Sequence, residues 1–150
     1  MDIIKVKVFN AGGQQLPNYK TEGDSGMDLR ADIPAPVVLH PMERKLIPSG
    51  IHVELPEGYE VQVRSRSGLS SKNGIMVVNG VGTVDNGYRG DIGACLINLS
   101  NVNFTINPGD RVAQIVFMPV SHAKWVEVEN MSGLSNTERG DGGFGHTGKE

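Results

Sequence analysis

Cysteine is almost absent from this chain, with one thiol, Cys95, in 150 residues. An intramolecular disulfide framework is therefore excluded. Cys95 stands among Ile92, Ala94, Ile97 and Leu99, where a small buried thiol fits, and it reads as a core residue, not a nucleophile. A surplus of positive charge is also missing. Fourteen Lys and Arg against seventeen Asp and Glu leave a formal charge of −3. Binding along a nucleic-acid backbone needs clustered excess cations that displace counterions, so nucleic acid is not an expected partner. A compact anion such as a nucleotide stays compatible with this balance. No apolar run approaches membrane-spanning length, and no membrane association is expected. The opening Met1 to Val8 carries Lys5 and Lys7 within its apolar stretch, unlike a secretory leader. The expected location is cytoplasmic, with nucleus or organelle as options in a eukaryotic host. The four histidines, His40, His52, His122 and His146, lack the spacing of zinc ligands.

Stretches free of helix breakers are equally scarce. Twenty glycines and eight prolines interrupt the chain so often that a helix of three turns has few places to form. Only residues 68–72 are expected to make a short helix. What the chain has instead is a series of short apolar or alternating runs, at residues 3–8, 37–40, 51–55, 59–63, 75–78, 92–99, 102–106, 112–117 and 125–128. In the run from Ile51 to Leu55, Ile51, Val53 and Leu55 point one way and His52 and Glu54 the other, the period of a half-buried strand. Turn signals lie between runs, among them Pro56-Glu57-Gly58, Asn73-Gly74, Asn86-Gly87 and Pro108-Gly109. The expectation is one all-β domain, a sandwich or jelly roll of many short strands. Residues 1–131 would form this body. Residues 132–150, rich in Gly, Ser, Asn and Thr without apolar period, would form a flexible glycine-rich C-terminal arm.

Two apparent motifs in the arm fail on context. Gly140 to Gly145 matches a dinucleotide fingerprint, and Gly143 to Lys149 nearly matches a P-loop. Each needs a following helix whose N-terminus faces the phosphate, and the sequence ends at Glu150. The chemistry survives the loss of the motif: glycines let backbone N–H groups approach an anion, and Arg139, His146, Thr147 and Lys149 add donors. Phe144 adds a flat face that can stack on a base. Arg-Gly-Asp occurs at residues 89–91 and 139–141, and without a secretion signal an adhesion role is set aside.

Five segments carry the functional signal together: residues 25–31 (SGMDLRA), 66–70 (RSGLS), 82–92 (GTVDNGYRGDI), 109–114 (GDRVAQ) and 139–148 (RGDGGFGHTG). In this order and spacing they resemble the five motifs of the trimeric dUTP pyrophosphatases, whose fold is a jelly roll or distorted β-barrel. The resemblance implies hydrolysis of dUTP to dUMP and diphosphate with Mg2+. Such a reaction needs a base for the attacking water, positive charge for the phosphate oxygens and alignment of the chain. By resemblance, Asp85 is the base that activates water at the α-phosphate. Tyr88 lies against the deoxyribose and excludes a 2′-hydroxyl. Asn79, Gly82 and Val84 belong to the hairpin whose backbone reads uracil, rejecting cytosine by mismatched hydrogen bonds and thymine by its methyl group. Arg66, Ser67, Gly68 and Gln114 meet the phosphates, a charged fork, a hydroxyl, a backbone N–H and an amide. Asp28 holds magnesium through water, in keeping with an ion that retains most of its hydration shell.

The resemblance also implies a homotrimer in which three subunits build each site. The arm of one of them closes over the ligand, with Arg139 at the terminal phosphate, Phe144 on uracil, and Gly145, His146 and Thr147 adding contacts. Three positions depart from the family pattern: His146 where a small Ser is usual, Ser70 where Ala or Gly is usual, and the turn-prone pair Asn86-Gly87 beside the expected base. A dCTP deaminase-like enzyme on the same scaffold and a non-catalytic nucleotide-binding jelly roll are the alternatives. The first needs a different acid–base group, and the second has no need of Asp85.

Overall fold

The computed structural model describes residues 3–143. Eleven strands and one short helix follow the turn signals: β1 Lys7–Asn10, β2 Met27–Arg30, β3 Val37–Leu39, β4 Arg44–Ile47, β5 Ile51–Glu54, β6 Tyr59–Arg64, α1 Ser67–Asn73, β7 Ile75–Val77, β8 Val81–Val84, β9 Ala94–Asn98, β10 Phe104–Ile106 and β11 Arg111–Pro119. Every pairing is antiparallel. A four-stranded sheet runs β2-β11-β6-β8, a three-stranded sheet β4-β9-β7, and two further pairs join β1 to β5 and β3 to β10. This is the all-β jelly roll that the alternating runs anticipate.

One continuous core takes side chains from both larger sheets: Leu29, Val61, Val63, Ala113 and Ile115 from the first, Ile47, Ile75, Val77, Ala94 and Leu96 from the second. Each buried Leu or Ile contributes about 1.5–3 kcal/mol relative to exposure, so period-two alternation fixes which face of each strand turns inward. In β9 that period sends Ala94, Leu96 and Asn98 in and leaves Cys95 and Ile97 half-buried on the other face. The thiol is therefore not a core residue, as its apolar neighbours in sequence had implied.

Several boundaries move for physical reasons. The expected helix over 68–72 gains one residue at each end. It stops at Gly74, whose φ of 67° suits glycine and whose N–H caps the carbonyls of Leu69 and Ser70. A side chain on Gly74 would also press on the backbone of Ser100 at 3.0 Å. The first strand lies at Lys7–Asn10 and not at residues 3–8, because pairing with β5 begins at Lys7 opposite Glu54. The run Trp125 to Val128 was expected to be a strand and is not one: it has no pairing partner among the described residues, and Trp125 is 92% exposed. Residues 119–141 are exposed throughout, with a single 3-10 turn at Met131–Gly133.

Candidate active site

The order of strands in the four-stranded sheet assembles one half of the site. Register sets Gln114 of β11 opposite Asp28 of β2 on one side and Arg64 of β6 on the other. In β2 only Leu29 is buried, so Asp28 and Arg30 face outward. A bulge between Arg111 and Ala113 breaks the alternation of β11. The extra residue lets Arg111 reach the face that carries Asp28 and Gln114 while Val112 and Ala113 are both buried. Arg66 follows β6 directly and serves as N-cap of α1, without a side-chain cap bond, which leaves its guanidinium to turn to the sheet.

Asp28 is the charge centre of this half. Its Oδ1 accepts from Arg66 Nε at 2.8 Å and its Oδ2 from Arg111 Nη1 at 3.0 Å, with Lys20 Nζ at 3.5 Å from Oδ2. Burial acts to raise the carboxyl, and the Arg66 and Arg111 guanidinium groups outweigh it, holding Asp28 below its ordinary 3.8. Arg66 is fixed a second time by Nη1 donating to the Arg111 carbonyl at 2.9 Å. Its Nη2 makes no hydrogen bond among the described residues and is free for a ligand. Gln114 donates to the Ser65 carbonyl at 2.9 Å, and a side chain on Gly26 would strike its amide oxygen at 2.5 Å. Around these groups lies a cleft of about 370 Å³ lined by Asn18, Lys20, Asp24, Ser25, Gly26, Asp28, Arg66, Ser67, Gly68 and Gln114. Ser67 and Gly68 begin α1, so their N–H groups have no partner within the helix. The cleft sets two cations, Lys20 and Arg66, and two carboxylates, Asp24 and Asp28, beside these N–H groups.

The other half lies on the opposite side of the strand-switching segment. Residues 79–84 were expected as a hairpin, yet β7 and β8 belong to different sheets. The chain changes sheet at residues 78–80, with Gly80 at φ 76° and Val81 N–H donating to the Asn79 carbonyl at 2.9 Å. Asn79, Gly82, Thr83, Val84, Asp85 and Tyr88 line a second cleft of about 240 Å³, with Leu46, Cys95 and Gly93 across from them. Gly82 pairs with Val63, and a side chain there would press on Val63 at 3.2 Å and approach the Asn79 amide at 3.4 Å. The Val84 side chain is buried in the core, so its contribution to a ligand comes from the main chain.

After β8 the chain makes a tight turn, with Tyr88 N–H donating to the Asp85 carbonyl at 3.0 Å. Five side chains brace it. Asn86 Nδ2 donates to the carbonyls of Leu55 at 2.7 Å and Pro56 at 2.9 Å. Arg89 Nη1 donates to the carbonyls of Asn86 at 2.6 Å and Tyr88 at 2.9 Å, and the His52 ring meets the Arg89 carbonyl at 2.9 Å. Asp91 accepts from the N–H groups of Ser49 and Gly50 and from the Ser49 hydroxyl. The Tyr88 hydroxyl donates to the Asp91 carbonyl at 3.0 Å, its ring lying where any side chain on Gly90 would be. Asp91 is thus consumed inside the fold, which removes residues 89–91 as an adhesion tripeptide. Asp85 is different: its carboxylate is exposed and makes no hydrogen bond or ion pair among the described residues. A rigid turn carries an unspent carboxylate.

The structure therefore brings Asp28, Arg66, Ser67, Gly68 and Gln114 into one cleft, and Asn79, Gly82, Val84, Asp85 and Tyr88 into another. The two clefts have no lining residue in common. Arg139 lies far along the exposed segment, its Nε donating to the Gly142 carbonyl at 2.8 Å. Phe144, Gly145, His146 and Thr147 lie outside the described residues. Sequence reasoning missed Lys20, Asn18 and Asp24 in the first cleft, and Asn86, Arg89, Asp91 and His52 as braces. The pair Asn86-Gly87 read as loose, and Asn86 is instead doubly anchored. Its two acceptors lie some thirty residues upstream in sequence, a contact that no local pattern announces. Among the described residues no cluster of three or more His, Cys, Asp or Glu is placed to cage a metal ion. Asp28 has Lys20, Arg66 and Arg111 on its oxygens, which leaves it poorly placed to ligate an ion directly.

Comparison with known proteins bears on both clefts. A dUTPase family profile matches residues 12–148. The chain is 50% identical over 145 residues to the deoxyuridine 5′-triphosphate nucleotidohydrolase of Finegoldia magna, covering 97% of this chain and 99% of that protein. Its fold is similar to that of the Staphylococcus bacteriophage 80alpha dUTPase solved with dUPNHPP, with TM-score 0.85, 27% identity and coverage of 96% and 98%. It is also similar to the dUTPase of phage phi11 of S. aureus, whose structure concerns the coordination of a structural Mg(II) ion, with TM-score 0.76, 26% identity and coverage of 85% and 98%. Since the match takes in every strand from β2 onward and both clefts, the chain belongs to the dUTPase family.

Proposed function

We propose that the chain hydrolyses dUTP to dUMP and diphosphate, keeping uracil out of DNA and supplying dUMP for dTMP synthesis. The observation that carries the reading is the free Asp85 carboxylate, held on a braced turn beside a nucleoside-sized cleft. Asp24, Asp28 and Asp91 have their oxygens taken up by the fold. Asp85 alone of the four is left to accept a proton from water, which it orients toward the α-phosphorus. The diphosphate departs as the new P–O bond forms.

The remaining residues position the substrate. Tyr88 presents its ring to the deoxyribose, and the Asn79 amide with the main chain of Gly82 and Val84 reads the uracil edge. Arg66 through its free Nη2, Ser67, Gly68 and Gln114 hold the phosphates. Asp28 is the residue that would meet a phosphate-bound Mg2+ through water, and the ion would supply charge neutralisation along the triphosphate.

Division of these groups between two separate clefts supports a homotrimer in which one subunit's phosphate cleft meets another's nucleoside cleft. The outward face of the three-stranded sheet supports it too. That face carries Leu46, Cys95, Ile97 and Met76, and Leu46 is 69% exposed on the single chain. The unpaired run with Trp125 and Val126 adds more apolar surface that a neighbouring copy would cover. Residues 132–150 act as an arm that orders over the complete triphosphate, excluding water. In that arm Arg139, Phe144, Gly145, His146 and Thr147 make the contacts.

Purified protein with magnesium is expected to release diphosphate from dUTP and far less from dCTP, dTTP or UTP. Ammonia released from dCTP would instead indicate a deaminase, and nucleotide binding without turnover a non-catalytic module. Deleting residues 139–150 is expected to leave a folded trimer by sedimentation with kcat/KM for dUTP lowered at least about tenfold, the scale of lost substrate positioning. A truncated chain as active as the parent would remove the arm from the mechanism.

A further inference from the structure

The phosphate cleft holds a cation that none of the five motif segments contains. Lys20 lines it together with Arg66, Ser67, Gly68 and Gln114. Its backbone is fixed, because the N–H groups of Lys20 and Thr21 both donate to Asp24 Oδ2 at 3.0 Å and the Thr21 hydroxyl donates to Asp24 Oδ1 at 2.7 Å. Its head group is not. Nζ stands 3.5 Å from Asp28 Oδ2, a longer contact than those of Arg66 and Arg111, and the side chain is 60% exposed. Asp28 is already balanced by two guanidinium groups, so the third cation adds little there. A partly exposed ion pair of this length contributes little, and breaking it costs correspondingly little. A triphosphate entering the same cleft concentrates several negative charges at the distance where one shared carboxylate now stands, and the Coulomb preference runs toward the phosphates. Lysine suits such a transfer, being a point charge on a flexible four-carbon stem.

We infer that Lys20 is a further phosphate-binding residue, which leaves Asp28 and contacts the phosphate chain of the incoming nucleotide. This rests on the function proposed above. The pinned backbone and free head group make Lys20 a tether of fixed root and movable tip, whereas Arg66 is held at Nε and Nη1 and meets the ligand only through Nη2. The two cations therefore divide the work. Arg66 supplies a preset contact, and Lys20 follows the phosphates as they settle.

The test uses the full chain with Lys20→Met and Lys20→Arg, and two probes measured calorimetrically at low and high salt: the non-hydrolysable deoxyuridine imidotriphosphate, and dUMP. Loss of one charge-assisted contact is expected to weaken imidotriphosphate binding by Lys20→Met about tenfold or more. Binding of dUMP should change little, the salt dependence for the imidotriphosphate should become shallower, and Lys20→Arg should recover most of the affinity. Unfolding temperatures should be close to the parent's. If Lys20→Met binds the imidotriphosphate as tightly as the parent, or loses both probes equally, the inference is overturned while the proposed function stands. A parent chain that neither binds the imidotriphosphate nor releases diphosphate from dUTP overturns the proposed function and the inference with it.

Discussion

Asp85→Asn is expected to lower kcat for dUTP roughly a hundred- to ten-thousand-fold, the usual contribution of a positioned general base, while binding of the imidotriphosphate stays close to the parent's. The amide has the shape of the carboxylate and lacks its basicity. Because Asp85 makes no side-chain contact among the described residues, the exchange leaves every brace of the turn in place: Asn86 on Leu55 and Pro56, Asp91 on Ser49 and Gly50, His52 on Arg89. The unfolding midpoint should therefore hardly move. Steady-state diphosphate release, paired with calorimetric binding, separates the two terms. Turnover equal to the parent's would remove Asp85 as the base.

Arg66→Met should behave differently, because Arg66 belongs to both the fold and the site. The substitution removes the Nε bond to Asp28, the Nη1 bond to the Arg111 carbonyl and the free Nη2 together. Loss of a fixed donor aimed at phosphate oxygens is worth about 10²–10³ in kcat/KM. The ion pair is about a quarter exposed on each side, so its removal should cost about 1–3 kcal/mol of stability, below the range for fully buried pairs. Asp28 is held below its ordinary 3.8 in the folded chain, so the pair stabilises above that value and its contribution is lost as pH falls through the lowered one. The stability gap between parent and Arg66→Met, measured by urea unfolding, should narrow below about pH 4. A gap that widened there, or activity within tenfold of the parent, would mean that Arg66 is neither Asp28's partner nor the phosphate donor.

How far the sequence alone reaches depends on what each feature needs. Strands such as β5 and β6 are legible because alternation is local and the core selects it. β2, β4 and β8 escape notice. Met27–Arg30 and Arg44–Ile47 carry charges on short segments, and Val81–Val84 contains a glycine, so their strand state comes from pairing with β11, β9 and β6. Trp125 to Val128 shows the converse, a strand-like pattern with no pairing neighbour among the described residues. In the site, family motifs mark Asp85, Tyr88 and Arg66 by type and spacing. The grouping of Asp28 with Arg111 and Lys20 depends on register and on one bulge, which spacing does not encode. Lys20 lies eight residues before Asp28 and outside every motif, so only the fold of the 18–26 loop makes it a neighbour.

One surplus residue near Val112 sets the facing of β11. A regular ribbon would put Arg111 and Gln114, three residues apart, on opposite faces, since its side chains flip over at every step. By swallowing one residue near its start, β11 turns both to the cleft and still hands aliphatic groups such as Val112, Ala113 and Ile115 to the inside of the fold. Length changes that the loops of such a molecule absorb without harm would, at this one spot, turn the strand inside out.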